Sequence, residues 1–178
     1  MGNPMSELGL MQVYTGEGKG KTTAALGLAL RAWGHGMRVC VIQFMKKGDE
    51  YGEVEALRRL DGIELYQFGA DRLIFKGEHC QEDVDLAERG LRMAQDCLCC
   101  NDYDMVILDE INVVMDFGIL PVDKVLCIVR GRDPGVEVVL TGRNAPKEVL
   151  EEADLVTIMK MEKHPYESGV MARKGVEF

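Results

Sequence analysis

The sequence predicts an α/β protein with a mostly parallel sheet covered by helices on both faces. Two observations carry that expectation. Apolar runs of strand length alternate with segments of helical periodicity along the chain. The strand runs are continuously apolar rather than alternating, the pattern of strands buried on both faces. At 178 residues, one domain over residues 1–178 is expected, large enough to bury a core without disulfides or metal.

The elements are taken in chain order. "LMQVY" (Leu10–Tyr14) reads as a buried strand running into a glycine-rich loop. "TTAALGLALRAWG" reads as a helix that starts near Lys21 and stops at Gly34 or Gly36, since glycine is the common helix stop. "RVCVIQF" (Arg38–Phe44) is a second strand and "IELYQF" (Ile63–Phe68) a third. Val84, Ala87, Leu91, Ala94 and Leu98 recur at three- and four-residue steps, so a helix with one apolar stripe is expected to end near Asn101. "MVILDE" (Met105–Glu110), "VEVVLTG" (Val136–Gly142) and "LVTIMKM" (Leu155–Met161) complete the strands, with a helix from about Pro146 between the last two. The least regular stretches are 45–51, 69–79 and the tail from Lys163. Loops beyond the carboxyl ends of parallel strands are where such sheets bind ligands.

Composition narrows the function. A formal net charge of −9 argues against nucleic acid, whose binding rests on basic residues facing phosphates. No apolar run reaches the length of a membrane span and no leader pattern opens the chain. "MGNPMS" matches the N-myristoylation pattern at Gly2 and Ser6, but one acyl chain anchors weakly and no polybasic cluster stands beside it. Six cysteines, three of them in "CLCC", have no second Cys/His pair at zinc-like spacing, so reduced thiols in a cytoplasmic setting are expected.

The chemistry sits in "YTGEGKGKTTAALG", Tyr14–Gly27. Gly16, Gly18 and Gly20 permit backbone N–H groups to converge on an anion. The helix behind them adds its positive dipole end. Lys21 supplies a cation for phosphates and Thr22 a hydroxyl for magnesium. The loop is compact. The usual phosphate loop has four residues between its first glycine and Gly-Lys-Ser/Thr, whereas three separate Gly16 from Gly20. Asp109 and Glu110 close an apolar strand, where a carboxylate holds magnesium directly or through water. A glycine turn alone, or two acids alone, would be ordinary solvated features. Together, in strand–loop–helix context, they imply Mg-ATP or a similar nucleotide on a P-loop NTPase-like, RecA-type three-layer frame.

The chain also resembles the P-loop corrinoid adenosyltransferases. The resemblance is carried by the compact loop with its helix and second strand ("YTGEGKGKTTAALGLALRAWGHGMRVCVIQFMKKG", Tyr14–Gly48), by "DMVILDEIN" (Asp104–Asn112), by "VVLTGRNAP" (Val138–Pro146) and by "ADLVTIMKMEKHPYESGVMARKGVEF" (Ala153–Phe178). It covers the chain from about Leu10 to the end. It implies that Co(I) of a corrinoid attacks the 5′ carbon of ATP and that triphosphate leaves, with the phosphates lying in the loop in the sense opposite to ordinary ATPases. The residues Gly16, Glu17, Gly18, Lys19, Gly20, Lys21, Thr22 and Thr23 would hold phosphates, Lys19 being as readily a solvated lysine. Thr22 and Glu110 would bind Mg2+, supported by Asp109.

Cofactors and partners come from the same resemblance: Mg-ATP and the corrinoid as substrates, an electron donor such as a flavoprotein, and a homodimer. Family members displace the lower axial base of cobalt with bulky apolar side chains in the loop after the third strand. Leu73 and Phe75 in "GADRLIFKGEH" take those places, Leu73 standing where an aromatic is usual, with ordinary core packing as the alternative. Arg143 would meet phosphate or corrinoid acetamides, or else make a structural salt bridge. His164 in "KHPY" is a catalytic or a structural histidine. Trp33 is expected in the core. Two other functions use the same cradle, a small kinase or NTPase and a nucleotide-gated corrinoid carrier.

Overall fold

The structure, a computed structural model, describes residues 9–48 and 51–176. The Gly2 and Ser6 pattern lies outside the described residues. Six strands, β1 (Met11–Thr15), β2 (Val39–Phe44), β3 (Ile63–Phe68), β4 (Met105–Asp109), β5 (Glu137–Thr141) and β6 (Leu155–Ile158), form one sheet in the order β3-β2-β4-β5-β1-β6. Every pairing is parallel, as the continuous apolar runs require.

The helices are α1 (Lys21–Gly34), α2 (Gly52–Leu57), α3 (Gln81–Cys99), α4 (Ile111–Asp116), α5 (Val122–Arg130) and α6 (Lys147–Glu152), with a 3₁₀ turn at Pro165–Ser168 beyond them. Side chains that alternate along the strands divide the core into two layers. Cys40, Ile42, Phe44, Val106, Leu108, Val138 and Leu140 pack against α3, α4 and α5. Val39, Val41, Met105, Ile107 and Val139 pack against Ala25, Ala29 and Ala32 of α1 and Leu57 of α2. The result is the three-layer arrangement expected from the sequence.

Local chemistry explains the element ends. Helix α1 closes in a Schellman arrangement. Gly36, at φ 79°, donates to Trp33 O, and Met37 donates to Ala32 O. Trp33 packs on the α1-side core and donates its indole N–H to Asp61 O at 2.7 Å. Ala87, Leu91, Ala94 and Leu98 of the α3 stripe are buried and Val84 packs half-buried on the same core, and the helix contains a glycine for a packing reason. A Cβ on Gly90 would lie 2.7 Å from the Phe44 ring and 3.1 Å from that of Phe68.

Three helices depart from the sequence reading. α2, α4 and α5 are six to nine residues long, too short for periodicity to separate them from loop. The last strand is also shorter than expected, ending at Ile158 rather than Met161. Among the described residues no helix is long and apolar enough to cross a membrane.

Strand order positions the site. β5 lies between β1 and β4. The glycine loop and the Asp109–Glu110 pair therefore face each other across the carboxyl end of β5.

Candidate functional site

Asp109 is the floor of the site. It ends β4 and is 1% exposed. Its Oδ1 accepts from Thr22 Oγ1 at 2.8 Å and from Thr141 Oγ1 at 2.6 Å. Its Oδ2 accepts from Lys46 Nζ at 2.9 Å and from Gln43 Nε2 at 3.2 Å. Strand register creates this convergence. Gln43 lies directly beside Asp109 on β2, and Thr141 ends the neighbouring strand β5. Thr141 Oγ1 in turn accepts from the Glu110 N–H at 3.0 Å, so one hydroxyl holds the Asp109 carboxylate and the Glu110 backbone. A buried carboxylate with this many donors is satisfied rather than stranded.

The glycine loop is held from behind. Gly18 N–H donates to Met159 O at 2.7 Å, just past β6. A Cβ on Gly16 would meet Met159 O at 2.5 Å, and one on Gly18 would meet Met159 O at 2.7 Å and Lys160 O at 2.8 Å. Gly16 and Gly20 also sit at φ 98° and 114°, conformations costly for other residues. The glycines at 16 and 18 are thus demanded by the end of β6 as well as by any ligand. Within the loop, buried Lys21 donates from Nζ to the Gly16 and Gly18 carbonyls at 2.7 Å each. Burial, with the charge of Arg143, holds its pKa below the usual lysine value against the opposing pull of Glu110, Glu17 and Asp109.

Backbone strain marks the same edge. Met45 after β2, Glu110 after β4 and Asn144 after β5 all have positive φ, at 60°, 64° and 51°. Non-glycine residues seldom adopt it, and such positions gather at functional sites. Around them opens a cleft of about 860 Å³, lined by the loop residues Glu17–Thr23 together with Lys46, Glu53, Glu110, Asp116, Arg143 and His164. The Glu110 carboxyl is held above the usual range by burial and then by the charge of Asp109.

The remaining candidates fall into two groups. Arg143 lies 3.6 Å from Glu17 across the cleft mouth, a salt bridge between exposed groups. His164 Nδ1 accepts from Tyr166 N–H at 3.2 Å, which leaves Nε2 as the protonated, donating nitrogen of the neutral ring. Lys19 Nζ donates to Val176 O at 2.7 Å and so ties the loop to the tail. Leu73 and Phe75 do not line this cleft. They are 83% and 61% exposed, which removes core packing as their explanation. Their loop is tethered instead, because Lys76 Nζ donates to Asp116 Oδ1 at 2.6 Å while Asn144 Nδ2 donates to Asp116 Oδ2 at 3.0 Å.

Lys46, Thr141, Gln43 and Asp116 are not legible as site residues in the sequence. Lys46, Gln43 and Thr141 fall inside stretches that carry the family resemblance, but nothing there marks them as partners of Asp109, and Asp116 lies outside those stretches. Among the described residues no cluster of three or more His, Cys, Asp or Glu side chains forms a metal cage. The arrangement as a whole suits a polyanion: a helix N-terminus, glycine backbone, and Lys21 and Lys46 at the base of an open cleft.

The chain matches known proteins along nearly its whole length. Residues 7–178 match the family described as ATP:corrinoid adenosyltransferase BtuR/CobO/CobP. A corrinoid adenosyltransferase of Pseudomonas aeruginosa is 38% identical over 172 residues, covering 97% of this chain and 85% of the relative. One from a Sinorhizobium species is 38% identical over 181 residues, covering 100% and 84%. The Escherichia coli K12 protein of the same name is 35% identical over 172 residues, covering 97% and 87%.

Proposed function

The chain belongs to the ATP:corrinoid adenosyltransferase family, and from that membership we propose that it moves the 5′-deoxyadenosyl group of ATP to the Co(I) centre of a corrinoid, in adenosylcobalamin biosynthesis or salvage. The carbon–oxygen bond at C5′ breaks, a cobalt–carbon bond forms with the electron pair of Co(I), and inorganic triphosphate departs. Residues 1–178 act as one domain. The observation that carries the reading is the convergence of Lys21, Thr22, Lys46 and Asp109 beneath a cleft opened by a compact glycine loop.

The protein's task in this reaction is electrostatic. The nucleophile comes with the corrinoid, so the residues must orient ATP and stabilise charge growing on the leaving triphosphate. Lys21 would leave its carbonyl partners for phosphate oxygens. Loop backbone N–H groups other than that of Gly18, which donates to Met159 O, and the α1 N-terminus would cradle the rest. His164, donating from Nε2, and Arg143 are placed at the cleft to add hydrogen bonds to the polyanion or to corrinoid amides. Leu73 and Phe75, exposed on a tethered loop, present apolar surface to a large corrinoid and would disfavour the lower axial base.

Magnesium fits the donor set. Thr22 Oγ1 and the Asp109 and Glu110 carboxylates are hard oxygen donors, and a divalent cation that keeps waters and takes phosphate oxygens needs no further protein ligands. When bound, Mg2+ neutralises triphosphate charge. The enzyme would act in the cytoplasm as a homodimer, with an electron donor such as a flavoprotein supplying Co(I).

One observation favours a second reading. The carboxyl of Glu110 lines the cleft beside the glycine loop, where as a carboxylate it would take a proton from water and support phosphoryl transfer. The product decides. Incubation with Mg-ATP and chemically reduced corrinoid should give triphosphate and adenosylcorrinoid in equal amounts. ADP and phosphate formed without corrinoid would replace this reading with the kinase or NTPase one. Tight binding of adenosylcorrinoid without turnover would favour the carrier.

A further inference from the structure

Lys46 lies outside the glycine loop, yet its ammonium occupies the centre of the site. Nζ is 2.9 Å from Asp109 Oδ2 and 3.4 Å from Thr22 Oγ1. The side chain is mostly buried, and a second acid, Glu53 of α2, lies 4.0 Å away. The Tyr51 ring centroid is 5.7 Å from the same nitrogen. The backbone behind it is fixed. Met45 turns through φ 60°, and the main chain of Met45 and Lys46 packs so closely on Gly69 that a Cβ there would lie 2.3 Å from Lys46 N.

The two oxygens that hold this ammonium belong to two of the three groups proposed above to hold magnesium. An ammonium and a divalent cation cannot share them, since both are positive and Lys46 Nζ already stands 2.9 Å from one oxygen and 3.4 Å from the other. We propose that Lys46 is a resident counter-cation that keeps the metal position closed until a nucleotide arrives. This inference rests on the metal reading of Thr22, Asp109 and Glu110.

The physical logic is a charge exchange. In the nucleotide-free protein the buried Asp109 carboxylate needs a positive partner, and Lys46 supplies it from the same chain at high local concentration. A free divalent cation must displace that partner and shed water as well. The triphosphate changes the balance. It brings its own negative charge for both cations, so Lys46 can turn toward phosphate or Glu53 while the metal takes Thr22 and Asp109. The device prevents metal from loading without its nucleotide and leaves a second lysine, beside Lys21, facing the triphosphate.

The test uses manganese(II) as the probe and no nucleotide, with free ion monitored by its electron paramagnetic resonance signal. Lys46→Met should bind Mn2+ at least tenfold more tightly than wild type. Lys46→Arg, which keeps the cation, should bind about as weakly as wild type. Adding ATP should bring wild type and Lys46→Met to within about threefold of each other. Lys46→Gln replaces the Met variant if burying Asp109 without the Lys46 hydrogen bond prevents folding. Adding Thr22→Ala to the Lys46→Met protein should abolish the gain. Affinity unchanged or weakened in Lys46→Met overturns the counter-cation role. A gain that survives Thr22→Ala shows that the metal binds elsewhere, and then the metal reading itself fails.

Discussion

The backbone N–H of Gly18 donates to the carbonyl oxygen of Met159 at 2.7 Å, fastening the glycine loop to the chain leaving β6. A methyl group at position 18 would press on Met159 O and Lys160 O, at 2.7 and 2.8 Å. Neither oxygen belongs to a flexible side chain, so the backbone itself must move. Gly18→Ala should therefore lower unfolding stability by about 1–3 kcal/mol, the usual cost of overpacking. Urea denaturation of the metal-free protein measures it. An unchanged midpoint would mean that β6 does not seat the loop.

On the proposed reading, Lys21 and Thr22 serve the ligand more than the fold. Lys21→Ala should reduce kcat/KM for ATP by about a hundredfold or more, as expected for loss of a charge-stabilising donor. Thr22→Ala should also cripple turnover. Circular dichroism should remain that of the wild type in both. Full activity in either variant would detach the loop from catalysis.

Asp109 holds together the hydrogen bonds at the end of β4. Replacing it with Ala leaves Lys46 without its closest carboxylate and strips Thr22, Thr141 and Gln43 of an acceptor. Removing one member of a buried pair costs about 3–5 kcal/mol. Asp109→Ala should be the least stable of the site variants in chemical denaturation, below Glu110→Ala. The reverse order would show that the hydrogen-bond convergence contributes little.

Phe75 gives the opposite pattern. It is 61% exposed, so Phe75→Ala should change stability by no more than about 0.5 kcal/mol. Activity should fall strongly when the assay begins from Co(II) corrinoid and much less when Co(I) is supplied chemically. Equal losses from both starting states would remove Phe75 from base displacement.

Asp83 supplies a pH test away from the cleft. Burial would raise its pKa, but the Cys80 N–H and thiol and the Arg72 guanidinium hold the carboxyl below the usual range. A depressed folded value stabilises the protein above the ordinary carboxyl pKa of 3.8, and that stabilisation is lost as pH falls through the folded value. Asp83→Asn should be clearly less stable than wild type at about pH 6, and the gap should narrow below pH 3.8. A gap independent of pH would assign Asp83 a purely steric role.

The sequence by itself determined the strand and long-helix frame, because continuous apolar runs and a five-member stripe on α3 leave little choice of burial. It also made the loop legible as a phosphate-binding candidate, since Gly16 to Thr22 are contiguous and a helix begins within them at Lys21. The tertiary structure alone decided what surrounds them. Lys46, Thr141 and Gln43 reach Asp109 only because β2 and β5 flank β4, and strand order is a long-range property that no local pattern carries. Gly16 and Gly18 read as ligand-binding glycines, and the structure adds that the end of β6 needs them too. Leu73 and Phe75 could be read as core or as site from their apolar character. Only the tertiary packing, which leaves their loop tethered by Lys76 to Asp116 at the surface, put them in solvent.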